Sequence, residues 1–139
     1  MKLQRATLLG LYAVLELAAQ PDQQLSRMDI ARKFKVSGNH LSKVMRELGK
    51  AGLVESVRGV GGGYQFCGNA KRTTLMDVIN IFESFQLDSP DLREPGKNTD
   101  IGKTLDVVLA EINETIHATL DTISISTMLM LKERIKGPE

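Results

Sequence analysis

The side chains best suited to chemistry crowd into one stretch of the chain. Ser37, Asn39, His40, Ser42 and Lys43 come close together, Arg46 and Lys50 follow, and Arg58 lies a little further on. Asn39 carries a donor and an acceptor side by side, the pattern that pairs bidentately with adenine. Ser37, His40 and Ser42 can donate or accept, and Lys43 can reach guanine or a phosphate. Arg46 and Lys50 suit phosphates, while Arg58 suits a narrow, A·T-rich minor groove where negative potential concentrates. This is the equipment for reading a DNA duplex, not for making or breaking bonds.

Competing chemistries lack their parts. No Ser, His and acid stand in a recognisable nucleophile motif, so no catalytic residues are assigned and the chain is read as a non-enzyme. His40 and His117 are far apart and, with a single cysteine, make no zinc spacing. Gly59, Gly61, Gly62 and Gly63 superficially suggest a phosphate-binding loop, yet no Lys-Ser/Thr follows them and they do not open a helix.

The elements that must position these residues can be read from spacing. Leu41, Val44, Met45 and Leu48 fall at i, i+3, i+4 and i+7, which predicts a helix with a buried stripe and with Asn39, Lys43, Arg46 and Lys50 opposite. Ser37 is its N-cap and Gly52 the left-handed residue beyond its end. Strands are expected over Leu53–Val57 and Gly63–Phe66, joined by 58–62, where Gly59 and Gly61 permit a tight turn and a close approach to another surface. Upstream, a very apolar helix over Ala6–Ala19 should pack on two sides. A second helix, capped by Ser26 with Asp29 three residues on, should bury Met28, Ile30, Ala31 and Phe34. Only Lys35-Val36 separates it from the third, short enough to hold the steep angle of a helix-turn-helix.

Three helices followed by a two-stranded wing make a winged helix-turn-helix, mainly α with a small β-wing, with the 37–50 helix in the recognition position. Composition agrees with a compact domain: 139 residues, 42% hydrophobic and 25% charged. The net charge of +1 hides an asymmetry, for residues 1–72 hold 12 Lys or Arg against 5 Asp or Glu, and residues 73–139 hold 6 against 12. Only the first half is expected to meet a polyanion. Without Trp, and with few aromatics, a stacking platform for single strands is disfavoured. No apolar run approaches membrane-spanning length and no signal peptide is evident, so a cytosolic protein is expected.

The segments Val-Ser-Gly-Asn-His-Leu-Ser-Lys-Val (36–44) and Gly-Leu-Val-Glu-Ser-Val-Arg-Gly-Val-Gly-Gly-Gly-Tyr (52–64) resemble the Rrf2 family of bacterial transcription regulators. The likeness extends to Tyr12-Ala13-Val14 and to a long helix near the end. It implies DNA contacts at Ser37, Asn39, His40, Ser42 and Arg58 with the neighbouring wing glycines, and it implies a homodimer. Family members that sense iron–sulfur status, nitric oxide or iron typically carry three cysteines in the loop before the long helix. Here that loop, 85–103, has none. The resemblance therefore implies the DNA-binding scaffold without a cofactor or cluster.

Residues 1–84 are assigned to the winged DNA-binding domain, 85–103 to a connecting loop, and 104–139 to dimerisation helices. A fourth helix is expected over Thr73–Ser84, with Leu75, Val78, Ile79 and Phe82 as its apolar face. Ile101, Leu105, Val108, Leu109, Ile112, Ile116 and Leu120 then form a long stripe that should pack against a second copy or fold back on its own domain. Ser124 should cap a terminal helix from Ile125 to about Lys136. Cys67, the lone cysteine, is read as an inert, partly buried small residue, with a redox switch near Lys71 and Arg72 as the alternative. Met128 and Met130 are core filler or the lining of an effector pocket, and the acidic 88–100 stretch is a connector or a site for a partner protein or a metal cation. The reading is a regulator, most readily a repressor, on a pseudo-palindromic operator. The alternative from another class is a protein-interaction adaptor that keeps the winged fold.

Overall fold

A computed structural model describes residues 2–59, 62–84 and 95–136, in the order α1 (Arg5–Ala18), α2 (Arg27–Phe34), α3 (Gly38–Lys50), β1 (Val54–Val57), β2 (Gly63–Phe66), α4 (Leu75–Phe82), α5 (Asp100–Thr122) and α6 (Ile125–Lys136). The winged helix-turn-helix is present, mostly helical with one antiparallel two-stranded sheet.

α1 is the central strut. Leu9, Ala13, Val14 and Leu17 are buried along it, and it touches α2, α3, α4, α6 and β2. A helix this apolar needs partners on more than one side, as its composition requires. α3 lays Leu41, Val44, Met45 and Leu48 against it, all at 2% exposure or less. Burying four such side chains contributes about 1.5–3 kcal/mol apiece and fixes the rotation of the helix about its axis.

Local chemistry sets the helix ends. Ser26 Oγ accepts from the N–H of Asp29 at 3.0 Å, and Ser37 Oγ accepts from the N–H of His40 at 3.0 Å. Lys35, in the left-handed conformation at φ 55°, makes the sharp turn between α2 and α3. Gly52 takes φ 80° just beyond α3, where glycine alone avoids a steric cost. α2 corrects one expectation: Ile30 is buried and Ala31 and Phe34 are half-buried, but Met28 is 67% exposed. Met28 sits on the first turn of a short helix that only partly faces the core.

α4 is shorter than expected. Thr74 and Asp77 form a full capping box before Leu75, and Met76 is buried with Val78 and Ile79, while Leu75 and Phe82 are half-buried. α5 begins at Asp100, inside the stretch read as loop, because Thr99 Oγ1 accepts from the N–H of Gly102 at 3.0 Å and starts the helix there. Residues 85–94 of that loop lie outside the described residues. Ile116 and Leu120 pack on Met76 and Ile79, so the second half of α5 folds back on its own α4. The first half does not: Ile101, Leu105, Val108 and Ile112 are 82%, 55%, 47% and 42% exposed.

The joint between α5 and α6 is stitched to the front of α4. Leu75 N–H donates to Ile123 O and Ile125 N–H to Thr73 O, each at 2.9 Å. Ser124 Oγ accepts from the N–H of Thr127 at 3.1 Å, capping α6 as expected. Ile125 is fully buried and Leu129 packs on the core beside α1. Part of the 104–139 stretch thus belongs structurally with the winged domain.

Candidate nucleic-acid interface

The buried stripe of α3 turns the rest of that helix outward. Asn39, Lys43, Arg46 and Lys50 are exposed along one edge, and Ser37 is exposed at its start. Lys50 Nζ lies 3.4 Å from Glu47 Oε1 on the same helix, a solvent-exposed pair worth at most about 0.5 kcal/mol and free to exchange for a phosphate. His40 and Ser42 are half-buried. His40 faces a cleft of about 420 Å³ shared with Arg5, Leu8, Tyr12 and Phe34, so it sits at the margin of the outward edge. Tyr12 and Phe34 stack with centroids 5.4 Å apart in the wall of that cleft.

β1 and β2 pair as Val54↔Phe66, Glu55↔Gln65, Ser56↔Tyr64 and Val57↔Gly63, which places Arg58 and Gly59 at the projecting end of the wing, both exposed. Gly59 has φ 147°, and Gly62 N–H donates to Gly59 O at 3.0 Å across the turn. Gly61 lies outside the described residues. The glycines therefore close a hairpin, consistent with rejecting a phosphate loop that would open a helix.

Sequence spacing did not point to Arg27. The first residue of α2, it donates from Nη1 to Ser42 Oγ at 3.1 Å, and its guanidinium carbon lies 3.7 Å from where a Cβ would stand on Gly38. With Ser56, Val57 and Gly62 it also lines a shallow groove between the start of α2 and the wing. A basic residue at the start of a helix carried no signal until the packing of α2 on α3 placed it there.

Cys67 follows the wing. Its N–H donates to Leu53 O at 2.9 Å and its Sγ lies 3.4 Å from Gly52 O. Cys67 is exposed and not partly buried as expected; the slight desolvation it keeps, and then the carboxylate of Glu55, push the thiol above its ordinary pKa. This is the reverse of the electropositive setting that activates a thiol. Met128 borders an apolar groove of about 590 Å³ between α1 and α6, whereas Met130 is 50% exposed. His117 is half-buried on α5. Among the described residues no group of three or more His, Cys, Asp or Glu is placed to hold a metal ion.

The arrangement offers a polar helix edge of groove-fitting width beside a cationic wing tip. Residues 3–130 match the family described as Rrf2, iron-dependent transcriptional regulator. The chain belongs to the Rrf2 family. It is a DNA-binding transcriptional regulator, and the Rrf2 relatives are not enzymes. A Rhodopseudomonas palustris protein named as the HTH-type transcriptional regulator BadM is 51% identical over 130 residues, 93% of this chain and 81% of that protein. Shouchella clausii NsrR, named as an HTH-type transcriptional regulator, is 36% identical over 84 residues, 60% of this chain and 56% of that one. Among solved structures, T. potens IscR superposes with a TM-score of 0.79 at 25% identity, covering 100% of this chain and 93% of IscR. Oxidised Staphylococcus aureus CymR gives 0.76 at 25% identity, covering 93% and 96%. Within this Rrf2 frame α3 is the third helix of the winged helix-turn-helix, and no described helix is long and apolar enough to cross a membrane.

The family description speaks of iron, and the donor set here does not fit a thiolate-held cluster. Such a cluster needs several cysteines, and this chain has one, placed on the wing rather than before α5.

Proposed function

We propose that this Rrf2 protein is a homodimeric, cluster-free repressor that acts in the cytoplasm on a pseudo-palindromic operator. The exposed polar edge of α3 beside Arg58 is the observation that carries the reading. Each α3 enters a major groove, with Ser37, Asn39, His40, Ser42 and Lys43 toward base edges and Arg46 and Lys50 on phosphates. The wing, Arg58 with Gly59 and Gly61, reaches the adjacent minor groove. Half-sites one helical turn apart, roughly 34 Å, suit two copies related by a two-fold axis. The exposed row Ile101, Leu105, Val108 and Ile112 supports dimerisation through the first half of α5, since an apolar stripe at that spacing is costly to leave in water. On this division 1–84 bind DNA, the stretch before α5 connects, and α5 dimerises, with α6 returning to brace α1. Repression follows from occupying promoter DNA.

The test is titration of the purified protein onto genomic promoter fragments selected for binding, at several salt concentrations and with an absorbance spectrum taken without oxygen. A colourless protein that protects a short palindrome with steep salt dependence is expected. Asn39→Ala and Arg58→Ala should each weaken that complex by about 1–3 kcal/mol. Weak, sequence-blind binding would instead favour an adaptor that works through its acidic half.

A further inference from the structure

We infer that Arg27 is a positioning residue for base readout, which rests on the DNA-binding reading above: it holds Ser42 as a hydrogen-bond donor and carries a phosphate contact of its own. Arg27 Nη1 donates to Ser42 Oγ at 3.1 Å, from the first residue of α2 to the second turn of α3. A serine hydroxyl has one proton and two lone pairs. The guanidinium occupies one lone pair and polarises the oxygen, so the O–H is the stronger hydrogen-bonding end and points away from the cation. Away from Arg27 lies the outward edge of α3, the side on which Asn39, Lys43 and Arg46 are exposed.

This has a consequence for sequence. A serine held as a donor favours guanine, adenine N7 or the thymine O4 as partner over cytosine, whose amino donor in the major groove could reach only the one remaining lone pair. An unheld serine could rotate to accept from that amino group. Arg27 also lines a groove between the start of α2 and the wing, with Ser56, Val57 and Gly62. The first helix of a helix-turn-helix crosses the DNA backbone, and from the first residue of α2 the remaining N–H groups of Arg27 meet a phosphate.

The experiment measures operator affinity for the four bases at each position, and the salt dependence, for the wild type and three variants. Arg27→Ala should lower the slope of log affinity against log salt by about 1 and reduce the discrimination against cytosine at one position by about tenfold. Ser42→Ala should lose the same discrimination at the same position and keep the wild-type slope. Arg27→Lys should keep the slope while relaxing the base preference. Unchanged slope and unchanged preference in Arg27→Ala, with the wild type still selective, would overturn the inference alone. A uniform affinity loss with the base preference intact would overturn the positioning role. A wild type with no selective binding would overturn the DNA reading beneath it.

Discussion

Leu25 and Tyr64 exchange both of their backbone hydrogen bonds at 2.9 Å, which adds a third rung of chain to the wing from the connection between α1 and α2. The wing is thus anchored to the helix-turn-helix by main chain as well as by packing. A Cβ on the neighbouring Gly63 would lie 2.4 Å from Leu25 O, a backbone atom that cannot swing aside. Gly63→Ala should therefore push the wing off this anchor and cost about 1–3 kcal/mol, read by urea unfolding, with a parallel loss of operator affinity. An unchanged midpoint would mean that the wing is held elsewhere.

The start of α1 is capped from a distance. Glu83, the residue just past α4, accepts from the N–H of Gln4 at 2.8 Å and from the hydroxyl of Thr7, whose side chain is fully buried. Glu83→Ala leaves that hydroxyl without its partner and should destabilise the fold by about 1–3 kcal/mol at constant m-value. Loss of less than about 0.5 kcal/mol would show that water replaces the carboxylate.

For α5, the expectation concerns association and not folding. No residue of this helix is buried, so Leu105→Glu should leave the thermal midpoint of the winged domain in place while shifting sedimentation from dimer to monomer. If Leu105→Glu and Ile112→Glu both sediment as the wild type does, the exposed stripe is not the dimer seam.

Cys67 should behave as a sluggish thiol. Although the residue is exposed, slight desolvation and Glu55 raise its pKa, so the thiolate fraction at neutral pH falls below that of free cysteine, and alkylation by iodoacetamide should climb only as pH rises into the alkaline range. Glu55→Gln should shift the rate profile toward lower pH, because it removes the negative charge that opposes ionisation. Peroxide treatment near neutral pH should leave operator affinity within about twofold. A thiol faster than free cysteine at pH 7 would restore the redox alternative.

The sequence by itself determined whatever depends on neighbours within a turn or two. The stripe Leu41, Val44, Met45, Leu48 is a matter of helical period, and burial follows it residue by residue. Ser26, Ser37 and Ser124 cap helices because each hydroxyl needs only an N–H three residues on. Gly52 and Gly59 sit where backbone torsion, a local property, demands them. The fold class and the outward edge of α3 followed from these signals.

Tertiary structure alone decided which distant groups meet. Gln4 and Glu83 are 79 positions apart, and Arg27 and Ser42 are 15 apart, separations at which no periodicity links two side chains. The misplaced Met28 and the unforeseen burial of Met76 have the same origin: spacing tells which residues share a face, but the neighbour that covers the face is set by how whole helices pack. The division of α5 makes the point most sharply. One continuous apolar stripe is covered by α4 at Ile116 and Leu120, whereas Ile101, Leu105, Val108 and Ile112 stay exposed and Leu109 is half-buried.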